Sequence, residues 1–104
     1  MENIQDMIAK VVSEIEQVTN YFYQQKNNEG YEKLMVLIDT LVLLTQHFAV
    51  LAGRPEIVDI NNKLLNSLND ATEALVNKDN ILLADILRYD IADVLNEATT
   101  IIIE

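Results

Sequence analysis

The chain has 104 residues, and half of them are hydrophobic, which excludes disorder. Its scarcity of glycine and proline disfavours a turn-rich β fold, and its lack of cysteine excludes disulfides and thiolate metal sites. Seventeen acidic and seven basic residues give a formal net charge of −10, which would repel nucleic acid and anionic lipid. We therefore expect one mainly helical domain, residues 1–104, in a reducing cytoplasm and with no nucleic-acid partner.

An apolar seam marks the first predicted helix, which spans about residues 2–26. The members of the seam alternate at intervals of four and three, and they are Ile4, Ile8, Val11, Ile15, Val18 and Phe22. The segment from Asn27 to Gly30 then contains residues that tolerate turns and, for Gly30, a positive φ. This segment predicts the end of the first helix.

The second predicted helix, about residues 31–52, is the most apolar part of the chain. A wide face is predicted to lie in the core, and it comprises Leu34, Met35, Leu37, Ile38, Leu41, Val42, Leu44, Thr45, Phe48, Ala49 and Ala52. Val36, Leu43 and Val50 recur every seven residues on the opposite side, close to His47. Since one bundle does not obviously bury both sides, we expect these four residues to form a self-association surface.

This helix is also just long enough to cross a membrane. Asp39, Gln46 and His47 argue against that interpretation, because an Asp near the middle of a bilayer costs roughly 2.5–3.5 kcal/mol. The other segments each carry an apolar stripe that needs this helix as a packing partner. Glu2 and Asp6 also disfavour an export signal at the start of the chain. We expect no membrane contact.

Two further helices complete the predicted fold. Gly53 is expected to be a left-handed helix cap, and Pro55 suits the first turn of a third helix, about residues 55–77. Asp79 is predicted to cap a fourth helix, about residues 80–102. The packing residues of the fourth helix are predicted to be Leu83, Ala84, Leu87, Ile91, Val94, Leu95, Ala98 and Ile101. Similar lengths and short turns predict an all-α fold, a single antiparallel up-down-up-down four-helix bundle.

The sequence carries no recognisable catalytic pattern. The inward Glu-x-x-His pairs of di-metal bundles are absent, and the only histidine, His47, has no carboxylate on its own helix face. Ser13 and Ser67 lie in no glycine-flanked turn, and the two glycines are isolated. We therefore expect no enzymatic activity, no cofactor and no metal. A bundle that binds a metal or a small ligand is the alternative of a different class.

The fourth predicted helix combines acidic and apolar residues on its outer side. Residues 79–104 carry a net charge of −5, half of the total. An apolar strip with a charged border is typical of a partner-binding edge, although scattered apolar residues on a solvated acidic face give the same pattern. The predicted partner-binding residues are Leu82, Asp85, Ile86, Tyr89 and Asp93.

Residues 75–98 carry a further pattern, in which Lys78-Asp79 precede Leu-Leu-Ala-Asp-Ile-Leu and the pair Tyr89-Asp90. This pattern resembles uncharacterised small helical proteins of Gram-positive bacteria, which implies a helical bundle without an assigned activity. In size, charge and fold the chain is also loosely similar to flagellar and type III export chaperones, which wrap the helical end of a secreted protein. We predict a non-enzymatic protein–protein interaction module that forms a homodimer and binds a protein partner of unknown identity. An export-type chaperone is the alternative.

Overall fold

The computed structural model describes residues 3–51 and 53–102, with the side chain of Ile102 excepted. Three α-helices are followed by a fourth rod, residues 80–102, in which two α-helices flank a π-helical turn. The elements are α1 (Ile4–Tyr23), α2 (Asn27–Val50), α3 (Pro55–Val76), α4 (Asn80–Asp85), the π-helical turn (Ile86–Ile91) and α5 (Ala92–Ile102). Within the described ranges there is no strand. The predicted all-α four-helix bundle is confirmed.

The four rods do not approach each other equally. α1 packs closely along α2 and also contacts every part of the fourth rod, and α3 contacts the same rod along its length. α2 and α3, by contrast, approach each other over a much shorter stretch. One flank of α2 is therefore covered less well than the other. The strictly antiparallel direction of the rods stays a prediction from the short connections.

The first connection differs from the sequence-based boundary. α1 ends at Tyr23, because Gln25 adopts a left-handed backbone conformation with φ of 61°. The backbone N–H of Lys26 donates to the carbonyl oxygen of Tyr21 at 2.8 Å, which closes the helix end with the hydrogen bond of a Schellman motif. α2 then begins at Asn27. The turn is thus earlier and shorter than predicted.

Gly30 lies inside the first turns of α2, and the prediction that it belongs to a turn with positive φ is wrong. Gly30 is buried against the ring of Phe22, where a Cβ atom would lie 2.7 Å from Cε1. The ring of Phe22 also packs edge-on against Tyr31, with 5.3 Å between ring centroids. A side chain at position 30 would have to displace the Phe22 ring, so glycine suits the close packing of α1 on α2.

The other two connections confirm part of the prediction. Pro55 occupies the first turn of α3, and the Asp79 side chain accepts a hydrogen bond from the Leu82 N–H at 3.1 Å, as expected of an N-cap. Gly53 has no positive φ, so its predicted role as a left-handed cap is wrong. After α3, Lys78 adopts a left-handed conformation with φ of 56°, as Gln25 does after α1. Ala52, a predicted core residue, lies outside the described residues.

The core agrees with the predicted seams of α1 and the fourth rod but not with that of α2. The buried hydrophobic residues of α2 are Leu34, Leu37, Leu41, Leu44 and Phe48. Met35, Ile38, Val42 and Ala49, which were predicted to lie in the core face, are exposed. The prediction was too broad because α3 stands away from this flank of α2 and leaves it uncovered.

The π-helical turn was not predicted, although its cause is visible in the spacing of buried residues. Leu83, Leu87, Ile91 and Leu95 recur at constant intervals of four and are all buried. In a helix with 3.6 residues per turn, each step of four rotates the next residue by about 40°, so the row would leave the core. A turn with i→i+5 hydrogen bonds takes up the extra residue and keeps the row inside.

Candidate functional site

α2 is strongly apolar, yet most of it is uncovered. One 18-residue window of α2 has a mean hydropathy of 1.5, and 28% of that window is buried. By length and composition α2 is the one helix in the described part of the chain that could cross a membrane. Its buried face packs in the core, chiefly along α1. The rest of its apolar surface divides into two separate areas.

The first area is the outer strip, which we define as Val36, Leu43, His47 and Val50. All four residues are exposed, with exposed fractions of 56% for Val36, 51% for Leu43 and 84% for Val50. The expected exposure of this second stripe is therefore confirmed. Between Leu34 and Val50, Asp39 is the only acidic residue of α2, and His47, itself part of the strip, is the only basic one. The outer strip is thus apolar and nearly uncharged on a protein with a large negative charge.

The second area is the α2–α3 groove, an apolar cleft of about 170 Å³ between the two helices. α2 and α3 provide its walls, and the fourth rod provides its base. The lining residues are Leu34, Ile38, Leu41, Val42, Leu68, Ala71, Thr72, Leu75, Leu83 and Leu87. Thr72 is the only polar residue among them. The sequence had assigned Ile38 and Val42 to the core, so this groove was not predicted.

Further apolar residues continue the walls of the groove along both helices. On α3, Leu65 is 47% exposed and lies about one turn before Leu68, while Val76 is 74% exposed and lies about one turn after Thr72. On α2, Met35 is 71% exposed and precedes Ile38 by three residues. The apolar surface around the groove is therefore longer than the cleft itself.

The predicted partner-binding strip on the fourth rod is interrupted. Ile86, the first residue of the π-helical turn, is buried in the core, so its predicted position on the outer side is wrong. Asp85 is half-buried and accepts a hydrogen bond from the Tyr23 hydroxyl at 2.6 Å. Leu82, Tyr89 and Asp93 are exposed. Their role in binding a partner stays a prediction, but Asp85 and Ile86 contribute to the bundle itself.

Tyr23, Asp85 and Arg88 form a polar cluster that joins α1 to the fourth rod. The Arg88 guanidinium lies 5.7 Å from the centre of the Tyr23 ring and donates to the Asn20 side-chain oxygen at 3.5 Å. Burial, the hydrogen bond to Asp85 and the negative charge of that carboxylate raise the pKa of Tyr23 to about 12. These groups bind one another rather than an open pocket, which indicates a structural role.

In residues 3–51 and 53–102, no three His, Asp or Glu side chains come close enough together to hold a metal ion. Tyr89, Asp90 and Asp93 border a shallow hollow with Lys63, and the other acidic residues are spread along the rods. The absence of a metal or another cofactor remains an expectation from the sequence.

Comparison with known proteins gives one match. Residues 1–101 match the family described as Domain of unknown function (DUF8042). No curated protein and no solved structure matches the chain. The resemblance to an uncharacterised family is confirmed, whereas a Gram-positive source and a similarity to export chaperones stay predictions.

Proposed function

This chain belongs to the DUF8042 family, and we propose that it is a non-enzymatic protein–protein interaction module that forms a homodimer through the outer strip of α2. One observation carries the proposal. Val36, Leu43 and Val50 each expose half or more of their surface on a helix whose opposite face is fully buried. Removal of such apolar surface from water by a partner lowers the free energy and so favours binding.

A second copy of the chain suits this surface because of its spacing. Val36 and Val50 lie seven residues on either side of Leu43. If two α2 helices cross at Leu43 in opposite directions, each Val36 lies beside Val50 of the other copy. One patch then contacts itself across a two-fold axis, which is the commonest form of soluble oligomer.

Charge supports the same choice. With a net charge of −10, two copies repel each other across most of their surface. Glu32 and Asp39 flank the Val36 end of the outer strip, but no acidic residue of α2 follows Asp39, so repulsion is smallest around Leu43 and Val50. Two copies can therefore approach most easily through this face.

A protein surface explains α2 better than a membrane. The apolar residues of its inner face are packed with α1 in the core, and insertion into lipid would separate them. Asp39 lies in the middle of α2, and the charge of the chain disfavours anionic lipid. We therefore propose a cytoplasmic protein without a membrane or nucleic-acid partner.

The alternative of a small-ligand-binding bundle has weaker support. The α2–α3 groove has a volume of about 170 Å³, whereas pockets for small molecules typically measure roughly 300–1,000 Å³. The alternative of an export-type chaperone has one observation in its favour, because such a protein needs a groove for a helix. The α2–α3 groove is such a groove.

The dimer is tested with a double variant, Leu43→Glu with Val50→Lys, examined by light scattering and circular dichroism. Burial of one Leu or Val is worth roughly 1.5–3 kcal/mol, so two charges should abolish a dimer of modest affinity without disturbing the core. A matched control, Ile81→Glu with Val76→Lys, places the same charges at exposed apolar positions elsewhere. We expect a folded monomer from the first variant and a dimer from the control. A first variant that still forms the parent's dimer would contradict the proposal.

A further inference from the structure

We propose that the α2–α3 groove binds an amphipathic helix of a partner protein, one whose apolar stripe is flanked by lysine or arginine. This inference rests on the proposed function as an interaction module and assigns a second surface to it. The outer strip then serves the second copy of the chain, and the groove serves a different protein.

The shape of the groove fits a helix. α2 and α3 form two helical walls, and Leu83 and Leu87 of the fourth rod form an apolar base between them. The exposed residues on the walls extend from Met35 to Val42 on α2 and from Leu65 to Val76 on α3. A stretch of about twelve residues on α3 measures roughly 18 Å, enough for about three turns of a bound helix. Amphipathic helices bind in such grooves through apolar residues at i, i+3, i+4 and i+7.

The charges beside the groove select a basic partner. On α2, Glu32 precedes Met35 by three residues and Asp39 follows it by four, so both acids lie on the side of the helix that carries Met35. On α3, Glu73 precedes Val76 by three residues, so it lies on the side of the helix that carries Val76. All three acids are exposed. A partner helix with lysine or arginine on its flanks places opposite charges beside them.

Nearby basic residues are directed elsewhere. Lys63 lies 3.4 Å from Asp59 and 3.4 Å from Glu97, on the side of α3 that faces the fourth rod. Lys33 borders a hollow on the α1 side of α2, together with Glu14. These amines do not neutralise the acids beside the groove. Glu73 adds an acid on the α3 wall to the two acids of α2, so a second copy of this acidic chain would be repelled more strongly there than at the Leu43–Val50 part of the outer strip.

The inference is tested with two synthetic peptides of 18 residues, labelled with a fluorophore and measured by anisotropy near physiological salt. Both carry leucine at i, i+3, i+4 and i+7 positions. One has lysine on the flanks of that stripe, and the other has glutamate. We expect the lysine peptide to bind the parent protein on the order of tenfold or more tightly than the glutamate peptide.

Two matched variants locate the binding site. Val42→Gln with Leu65→Gln changes the groove, and Val36→Gln with Leu43→Gln changes the outer strip, at positions of similar exposure and without altering charge. We expect the groove variant to bind the lysine peptide on the order of tenfold more weakly, and the strip variant to bind it like the parent.

Three outcomes would overturn the inference: no binding of the lysine peptide to the parent, equal affinity for both peptides, or equal affinity of the groove variant and the parent. Light scattering on the same variants separates this inference from the homodimer. If the groove variant becomes monomeric while the strip variant remains a dimer, the groove is the contact between copies and both proposals are wrong. A monomeric strip variant that binds the peptide like the parent supports both.

Discussion

α2 and the fourth rod are both rich in apolar residues, but the bundle covers them differently. In the fourth rod, Leu87 and Ile91 are buried and acidic residues such as Asp93 lie outside. In α2, Leu43 and Val50 are exposed. The difference arises from position in the fold. The fourth rod lies between α1 and α3, whereas α2 has one close neighbour, α1.

This difference shows that the hydrophobicity of a helix predicts contact but does not say which molecule provides it. For the fourth rod the contacts come from within the chain, and a π-helical turn adjusts the rod to keep them. For α2 much of the apolar surface has no contact within a single copy. Equal substitutions in the two rods should therefore have unequal effects on the stability of the monomer.

The most direct comparison makes the same substitution, Leu→Ala, once in the fourth rod and once in α2. Leu87 is 1% exposed, and Leu87→Ala should lower the free energy of unfolding by about 2–5 kcal/mol through lost contacts and a cavity. Leu43→Ala should cost less than about 1 kcal/mol at concentrations where the protein is monomeric, because its side chain is already half in water. Urea denaturation followed by circular dichroism measures both values. Losses of similar size would show that Leu43 is covered within one chain.

A second comparison uses the two glycines, Gly30 in the first turns of α2 and Gly53 in the connection after α2. Gly30→Ala should cost about 1–2 kcal/mol, because the new Cβ would lie 2.7 Å from the Phe22 ring and overpacking outweighs the higher helix propensity of alanine. Gly53→Ala is the matched control, since no atom lies within 4 Å of its Cβ position and its φ is not positive. Thermal unfolding of both variants measures the difference. An unaffected Gly30→Ala variant would contradict the close packing of α1 on α2.

The hydrogen bond between Tyr23 of α1 and Asp85 of the fourth rod should make stability depend on pH. The pKa of Tyr23 is about 12 in the folded protein and 10.0 for an ordinary tyrosine, so the folded state holds this proton more tightly. Its contribution to stability is therefore complete below about pH 10 and is lost as the pH rises towards 12. Tyr23→Phe should cost about 1 kcal/mol at neutral pH and remove this part of the alkaline loss. Ultraviolet titration should show a phenolate transition near pH 12 in the parent and none there in Tyr23→Phe; a transition that persists in the variant would assign it to another tyrosine.

The smallest effect concerns the turn that leads into the fourth rod. Lys78 has a positive φ, which a side chain disfavours and glycine tolerates, so Lys78→Gly should raise stability by about 0.5–1 kcal/mol. Gln25→Gly, in the turn that leads into α2, should raise stability for the same reason. Asn77→Gly is the control, because Asn77 has an ordinary helical backbone and should lose stability. A loss in all three variants would contradict the left-handed turns.

Local signals in the sequence were sufficient for much of the fold. The seam of α1, the cap at Asp79 and the proline at the start of α3 depend on residues close together in the chain. Features that depend on distant residues were missed. The sequence shows that Gly30 has no side chain, but it does not show that the ring of Phe22 lies against it.

For the candidate surfaces, too, features within one helix were predicted and features that depend on distant residues were missed. The outer strip could be predicted, because Val36, Leu43 and Val50 repeat within one helix. The α2–α3 groove could not, because it depends on the distance between two helices. Ile86 was misplaced because a regular α-helical wheel does not include the π-helical turn.

The central claim is that the outer strip of α2 is covered by a second copy of the chain, and the average mass of the parent protein in solution tests it most directly. Sedimentation equilibrium over about 1–100 μM covers the range of a micromolar dimer, which corresponds to about −8 kcal/mol. The account predicts that the mass rises from 11.8 kDa towards twice that value as the concentration increases. A constant mass of 11.8 kDa up to about 100 μM would contradict it.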